Sequence, residues 1–462
     1  MGSSVINRSQ TTLAGYRLPL LLLFLVAVGI VAGVAIGLNQ WALVGVLCVL
    51  PLLLLKPIEV AVGIFVLMIP FDSIASISGQ GSGRTLLWFA GAFAGCVLLA
   101  VGLVGNRLVR PSRTTLWWTA FVLWGAASFL WAYDPHAVTQ RLPTALGLLG
   151  LYIAATCFRI RKKELDWLVL MTLLGSLIAA LATLYYFSHG VYFEGTRQRA
   201  SLVFGAGETN PNLLGATFVL PIALAIAHFI SVRKWPSRVL MVLLIGTDSL
   251  ALLVTMSRGA MLALLAAILV LCWRLRADRR IIVVAVLIAS MAFAMPSVFF
   301  HRLQETAEHG NARLYIWEAG LKAVEHYGLL GAGMDNFHVV YAQFAGTAPT
   351  FMGYDRDPHN IYLAIAVDGG ILAFALFLFA LSSQLNALKR YRNSHPKPQP
   401  RVIACEAGLW GILVFGLTGN VLWFKMFWFS WIMVAFALRV ALDERESAVE
   451  RLDLFRPAAN FL

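Results

Sequence analysis

Charge is scarce in this sequence. Only 13% of its 462 residues are Asp, Glu, Lys or Arg, against about a quarter in a soluble domain of ordinary composition. A water-facing surface of the usual kind is therefore excluded for most of the chain. Cysteine is scarce too. Cys48, Cys96, Cys157, Cys272 and Cys405 all fall in or at the edge of apolar segments. There they read as small buried residues, not as a disulfide framework or a metal site. A P-loop is missing, and "GAGMDN" (331–336) does not replace it, so no ATP-driven step is expected within the chain.

What the sequence has is long apolar runs. Hydrophobic residues make up 60% of it, and the mean hydropathy is +0.78. The runs approach the roughly 20 residues that cross about 30 Å of hydrocarbon as a helix. A β-barrel would give short alternating segments instead. The expected fold class is an all-α polytopic membrane protein. The first run, Leu18 to Gly37, exceeds a signal-peptide core and is followed at once by another, so it is expected to be an uncleaved span.

The net charge of +13 does not point to nucleic acid, because the basic residues sit in short loops between apolar runs. These loops are "NRLVRPSR" (106–113), "RIRKKELD" (159–166), "SVRKWPSR" (231–238), "WRLRADRR" (273–280), "LKRYRNSHPKPQPR" (388–401) and the tail after Leu442. Each reads as cytoplasmic. A pair of apolar runs separates successive clusters, and four more runs precede Asn106, at 18–37, 41–55, 57–70 and 86–104. Fourteen spans is the upper count, about twelve the count that allows for the short runs, and parity puts both termini in the cytoplasm. The expected organisation is an N-terminal transmembrane bundle (1–295), a helical external loop (296–360), C-terminal transmembrane helices (361–442) and a cytoplasmic tail (443–462).

That topology leaves the chemistry on the other side. A connection as long as 296–360 is usually functional in a compact protein. Within it, "NARLYIWEAGLKAVEHY" (311–327) places Leu314, Trp317, Leu321 and Val324 on one helical face, away from Glu318, Lys322 and Glu325. It reads either as an amphipathic helix at the membrane surface or as a plain packing helix.

Arg141, Arg197, Arg199, Arg258 and Arg313 all map to the external side. The guanidinium is a permanent cation with a planar fork of donors that suits phosphate. In "TMSRGAML", Ser257 is the expected N-cap of a helix that Arg258 opens, and the helix dipole there also favours an anion. The plainer alternative is an interfacial arginine snorkelling to lipid headgroups.

In "YDRDPHNIYL" (354–363), Asp357 followed by Pro358 reads as an N-cap with proline at the first helical position. His359 and Asn360 would then lie in the first turn, and Gly370 would return to nearly the same face about 16 Å deeper. Histidine titrates near neutrality and can take a proton from a hydroxyl; a histidine bonded to headgroups or a carbonyl is the plainer reading. "DRD" (355–357) has a D-x-D form, but Asp357 already caps a helix and no nucleotide-sugar fold is visible, so no metal is expected. Asp248, Asp368 and Lys425 lie in or near spans, where ionisable groups default to function. A pairing of Asp368 with Lys425 is one option.

These residues resemble the bacterial O-antigen ligases, in the wider O-antigen ligase and polymerase superfamily. "HNIYLAIAVDGG" (359–370) fits that family's H-x10-G motif, "RGAML" (258–262) its R-x3-L motif, and "NPNLLG" (210–215) is typical of the superfamily. The resemblance covers most of the chain. It implies a GT-C-like fold in a Gram-negative inner membrane with a periplasmic site. The implied donor is a polysaccharide on undecaprenyl diphosphate, the acceptor a sugar hydroxyl of the lipid A–core oligosaccharide, and the transfer is inverting, without metal or cofactor. On this sequence His359 would be the general base, with Arg258 and Arg313 binding the diphosphate. Arg199, Arg141, Asn210, Asp357, Asn360 and Gly370 would complete the substrate site. The alternatives are an O-antigen polymerase, a protein O-oligosaccharyltransferase, disfavoured because no soluble domain follows Leu442, and a transporter or flippase using acids such as Asp248 and Asp368.

Overall fold

In a hydrocarbon solvent each backbone N–H must find its acceptor within the segment, so apolar runs of this kind fold as helices. The computed structural model describes residues 52–72, 85–194, 198–204, 207–276, 279–293, 312–346 and 356–454. The apolar run at 18–37 and most of 41–55, together with Arg197 and Asp355, lie outside the described residues. The helices are α1 (Pro57–Met68), α2 (Leu86–Val104), α3 (Arg113–Ala127), α4 (Pro135–Thr156), α5 (Lys162–Ser188), α6 (Pro211–Thr217), α7 (Val219–Ser231) and α8 (Trp235–Val254). They continue as α9 (Arg258–Arg274), α10 (Arg279–Phe293), α11 (Ala312–Tyr327), α12 (Phe337–Phe344), α13 (Ile361–Ser394), α14 (Pro400–Phe415) and α15 (Lys425–Leu454). Two short strands, β1 (Val203–Phe204) and β2 (Gly207–Glu208), pair antiparallel between α5 and α6.

Among the described residues, six segments are long and apolar enough to cross a membrane: Leu86–Val104, Lys162–Ser188, Pro211–Ser231, Trp235–Val254, Ile361–Ser394 and Lys425–Glu446. The chain is a multi-pass, mostly helical membrane protein. The loops sort by charge. At one end the basic loops tie to each other: Arg159 pairs with Asp443 at 2.9 Å, Lys162 with Glu444 at 2.7 Å and Arg401 with Asp166 at 2.6 Å. The buried Glu406 there takes both Arg392 (2.7 Å) and Arg274 (3.2 Å). The opposite end collects the α3–α4, α5–α6, α8–α9 and α14–α15 connections with α11 and α12.

A cluster of fully buried indoles ties α3 to α15, with Trp118 centred 4.8 Å from Trp428 and 5.1 Å from Trp431. α14 is buried on almost every side. Gly408 faces Leu220 of α7, and a Cβ on Gly411 would lie 3.0 Å from the Ala263 carbonyl of α9. Small residues let α14 lie close against α7 and α9, and this fixes where the start of α9 stands.

Three expectations are corrected. The N-cap of α13 is Asn360, whose side chain accepts the amides of Tyr362 (2.9 Å) and Leu363 (3.1 Å). Asp357 instead accepts the amide of His359 at 2.7 Å, closing a turn ahead of the helix, and His359 stands outside it with φ +47°. Second, Gly370 does not extend one helical face. It breaks α13, with φ +68° and ψ −169°, a region open essentially to glycine alone, and its bare Cα side rests on the Leu329 carbonyl and the Gly331 amide.

The face of α11 that packs on the protein is Ile316, Ala319, Gly320 and Ala323, and the other face leaves Leu314 and Leu321 exposed. A small-residue face packs closer to α13 than a leucine face can: a Cβ on Gly320 would reach within 3.0 Å of the Leu363 side chain. Third, Lys425 does not pair with Asp368. Its ammonium lies 2.8 Å from Asp72, which also accepts from Thr85, all three at the junction of α15 with the α1–α2 end. Asp368 instead accepts the amides of Phe337 (2.7 Å) and Asp335 (3.1 Å), holding the start of α12.

Candidate active site

The segment 356–360 is clamped from two directions. From α11, the Trp317 indole donates to the Pro358 carbonyl at 3.1 Å. From the α14–α15 turn, the Asn420 amide donates to Asp357 Oδ2 at 3.3 Å, and the Gly416 carbonyl accepts the Ile361 amide at 2.8 Å. His359 is therefore held half-exposed at the mouth of α13 by contacts on both sides.

The same α14–α15 turn reaches the start of α9. The Cα of Gly259 is packed on Thr418 Oγ1 and the Phe415 ring, so the residue beside Arg258 touches the turn that holds the His359 loop. Ser257 caps α9 as expected, accepting the Ala260 amide at 3.3 Å. Arg258 is exposed, beside a first turn in which Ser257, Gly259 and Ala260 are buried. A third group abuts the α8–α9 turn. Arg199 is buried, donating from Nε to the Thr255 carbonyl at 3.0 Å and from Nη2 to Asn212 Oδ1 at 2.8 Å. Asn210 caps α6 by accepting the Asn212 amide at 2.9 Å. Gly215 brings α6 onto this turn, since a Cβ there would lie 2.8 Å from Ala260 Cβ.

Arg313 opens α11 one turn before Trp317 and shares its face. Its charge and that of Arg356 both act on His359. Burial lowers the imidazole pKa most; Asp357 pulls it back up, and Arg313 and Arg356 push it down, the net being below the ordinary 6.5. A neutral imidazole with a free lone pair is the form that can accept a proton near neutral pH.

Two of the sequence candidates stand in structural settings of their own. Arg141 pairs with Asp335 at 2.8 Å, at the α4 side of the segment that Asp368 anchors. Gly370 lies at the break described above. Sequence reasoning missed Asn420, Asn212 and Arg356. Asn420 sits in "LTGNVLW" (417–423), a polar interruption between two apolar runs, but no spacing relates it to residue 357.

The O-antigen ligase family model matches residues 239–378. That stretch holds Arg258, Arg313, His359 and Gly370 together. Over 364 residues the chain is 26% identical to a Pseudomonas aeruginosa protein named O-antigen ligase, a match covering 75% of this chain and 82% of the relative.

Both comparisons support an enzyme that ligates O-antigen. The similarity drawn from the two short motifs extends over most of the chain. Within the family match, the R-x3-L motif contributes the start of α9, and the H-x10-G motif runs from the base candidate to the break in α13. The α14–α15 turn that joins the two lies beyond the matched stretch.

Proposed function

We propose that this protein transfers a polysaccharide from undecaprenyl diphosphate to a sugar hydroxyl of the lipid A–core oligosaccharide. The basic end faces the cytoplasm of a Gram-negative cell, and the site faces the periplasm from the inner membrane, in a GT-C-like bundle. The observation that carries the reading is the assembly of the His359 loop and the Arg258 helix start on one turn, with Arg313 and Arg356 acting on His359, at the end opposite the basic loops.

A lipid-linked diphosphate presents its glycosidic bond at headgroup level, where these residues stand. His359 takes the proton of the acceptor hydroxyl, whose oxygen attacks the anomeric carbon of the donor. The bond from that carbon to the phosphate oxygen breaks, and undecaprenyl diphosphate leaves with the electron pair. Guanidiniums preorganised around it stabilise the charge that develops, the largest contribution in many enzymes of this logic. Arg258 is exposed for that contact and has the dipole of α9 behind it; Arg313 supplies the second cation, and Arg199 buttresses the α8–α9 turn. The diphosphate linkage is itself the activated bond, so no nucleotide is consumed.

The test is transfer by purified protein in detergent, with undecaprenyl-diphosphate glycan, core lipid A and EDTA, comparing wild type with His359→Ala. Transfer by the wild type and near-complete loss in the folded variant support the reading. Lengthening of the lipid-linked glycan without transfer to core makes the protein a polymerase. Full activity in the variant removes His359 from the mechanism.

A further inference from the structure

The loop that carries His359 is bent back on itself. A positive φ is uncommon for a residue with a side chain and disfavoured in energy, and His359 takes φ +47°. The bend brings its ring over the side chain two residues earlier: Asp357 Oδ1 accepts the His359 amide at 2.7 Å and lies 3.6 Å from Nδ1 of the same residue. The other carboxylate oxygen, Oδ2, receives the Asn420 amide at 3.3 Å from the α14–α15 turn. Both oxygens are thus oriented, one by the loop and one by a separate element.

We propose that Asp357 is a positioning residue for the base: its carboxylate, aimed by Asn420, holds the proton of neutral His359 on Nδ1 and leaves Nε2 free to receive the acceptor's proton. This rests on the ligase reading above. The separation of 3.6 Å is an ion-pair distance, longer than a hydrogen bond, and catalytic contacts of this kind tighten when substrate is bound.

The charges around the ring give the reason for such a group. Among the described residues, the charged groups acting on His359 are Asp357 and Arg356 from its own loop and Arg313 from α11; the α14–α15 turn contributes the neutral Asn420. Once Nε2 has taken the proton, an imidazolium stands among guanidiniums that serve a phosphate. Asp357 offsets that repulsion in the state where it matters, with the Nδ1–H directed at Oδ1. In this role the carboxylate orients the ring and stabilises the cation without itself taking the proton.

Asp357→Asn separates this role from a purely structural one. The amide oxygen can still accept the His359 N–H, so the turn is kept, while the charge is lost. The expected result is a fall in kcat of roughly ten- to a hundred-fold with KM for the lipid-linked donor little changed. The acidic limb of the pH–rate profile should move to lower pH, because a group that raises the imidazole pKa is gone. Asn420→Ala should give a smaller loss of kcat, and Asp357→Glu a partial return.

Nitrogen-15 spectra of the histidines provide a readout independent of turnover, and remain informative if the wild type transfers nothing. The wild type should show His359 protonated on Nδ1, and Asp357→Asn a mixture of tautomers. If Asp357→Asn matches wild type in kcat, pH profile and tautomer while His359→Ala is inactive, the inference is overturned and the ligase reading stands. If the wild type transfers nothing, the ligase reading fails, and the tautomer alone decides the role of Asp357. Should Asp357→Asn not fold, Asn420→Ala decides: unchanged kcat and tautomer in that variant overturn the proposal.

Discussion

The backbone amide of Ile361 donates to the carbonyl of Gly416 at 2.8 Å. That bond seats the first turn of α13 on the C-terminal end of α14, and two residues further on Thr418 lies against Gly259. One turn therefore sets the distance between the two motifs, which are about a hundred residues apart in sequence.

Enlarging Gly259 should separate them. In Gly259→Val the new side chain meets Thr418 Oγ1 and the Phe415 ring, and overpacking of this kind costs about 1–3 kcal/mol. The variant should still insert in the membrane but lose most transfer activity. Trimming the partner in Gly259→Ala/Thr418→Ala should restore part of what Gly259→Ala alone loses, measured by the transfer assay.

Gly370 is constrained by conformation as well as by space. At φ +68° and ψ −169° an alanine is strained, and its methyl meets the Leu329 carbonyl. Gly370→Ala should lower stability by at least about 1–3 kcal/mol, read as a lower Tm in detergent.

Asp368 holds amides, so its loss should be felt at the start of α12 and not as a change in ion dependence. Asp368→Asn keeps one acceptor oxygen where two serve Phe337 and Asp335. An orphaned buried amide costs about 1–3 kcal/mol. Hydrogen exchange should quicken in 335–344. A dependence of activity on a proton or sodium gradient would instead favour the transporter alternative.

The buried pair of Lys425 and Asp72 should behave asymmetrically. Lys425→Met strands the Asp72 carboxylate in a setting where both side chains are about nine-tenths buried, and removing one partner of such a pair costs about 3–5 kcal/mol. Lys425→Met/Asp72→Leu should recover much of the lost thermal stability.

The depressed pKa of His359 fixes the sign of a pH effect. The active form is neutral, and the folded value lies below 6.5, so activity should persist as pH falls through 6.5 and fail only below it. Arg356 pushes the value down; Arg356→Gln should therefore move the acidic limb of the pH–rate profile upward, opposite in direction to Asp357→Asn.

The sequence by itself determined the helical membrane class, the gathering of basic loops at one end and the Ser257 cap of α9. These follow from composition and from contacts within a few residues, which a sequence displays directly. The motifs also named the residues to watch, Arg258 and His359. Only the tertiary structure decided how they are used. Whether Asp357 or Asn360 caps α13 turned on the loop being pulled toward Trp317 and Asn420, and the break at Gly370 on the Leu329 carbonyl packed against it. The partner of Lys425 turned on α15 meeting the α1–α2 end, and the buried face of α11 on how closely α13 approaches it. Each is settled by groups tens to hundreds of residues away, and no local periodicity carries that information.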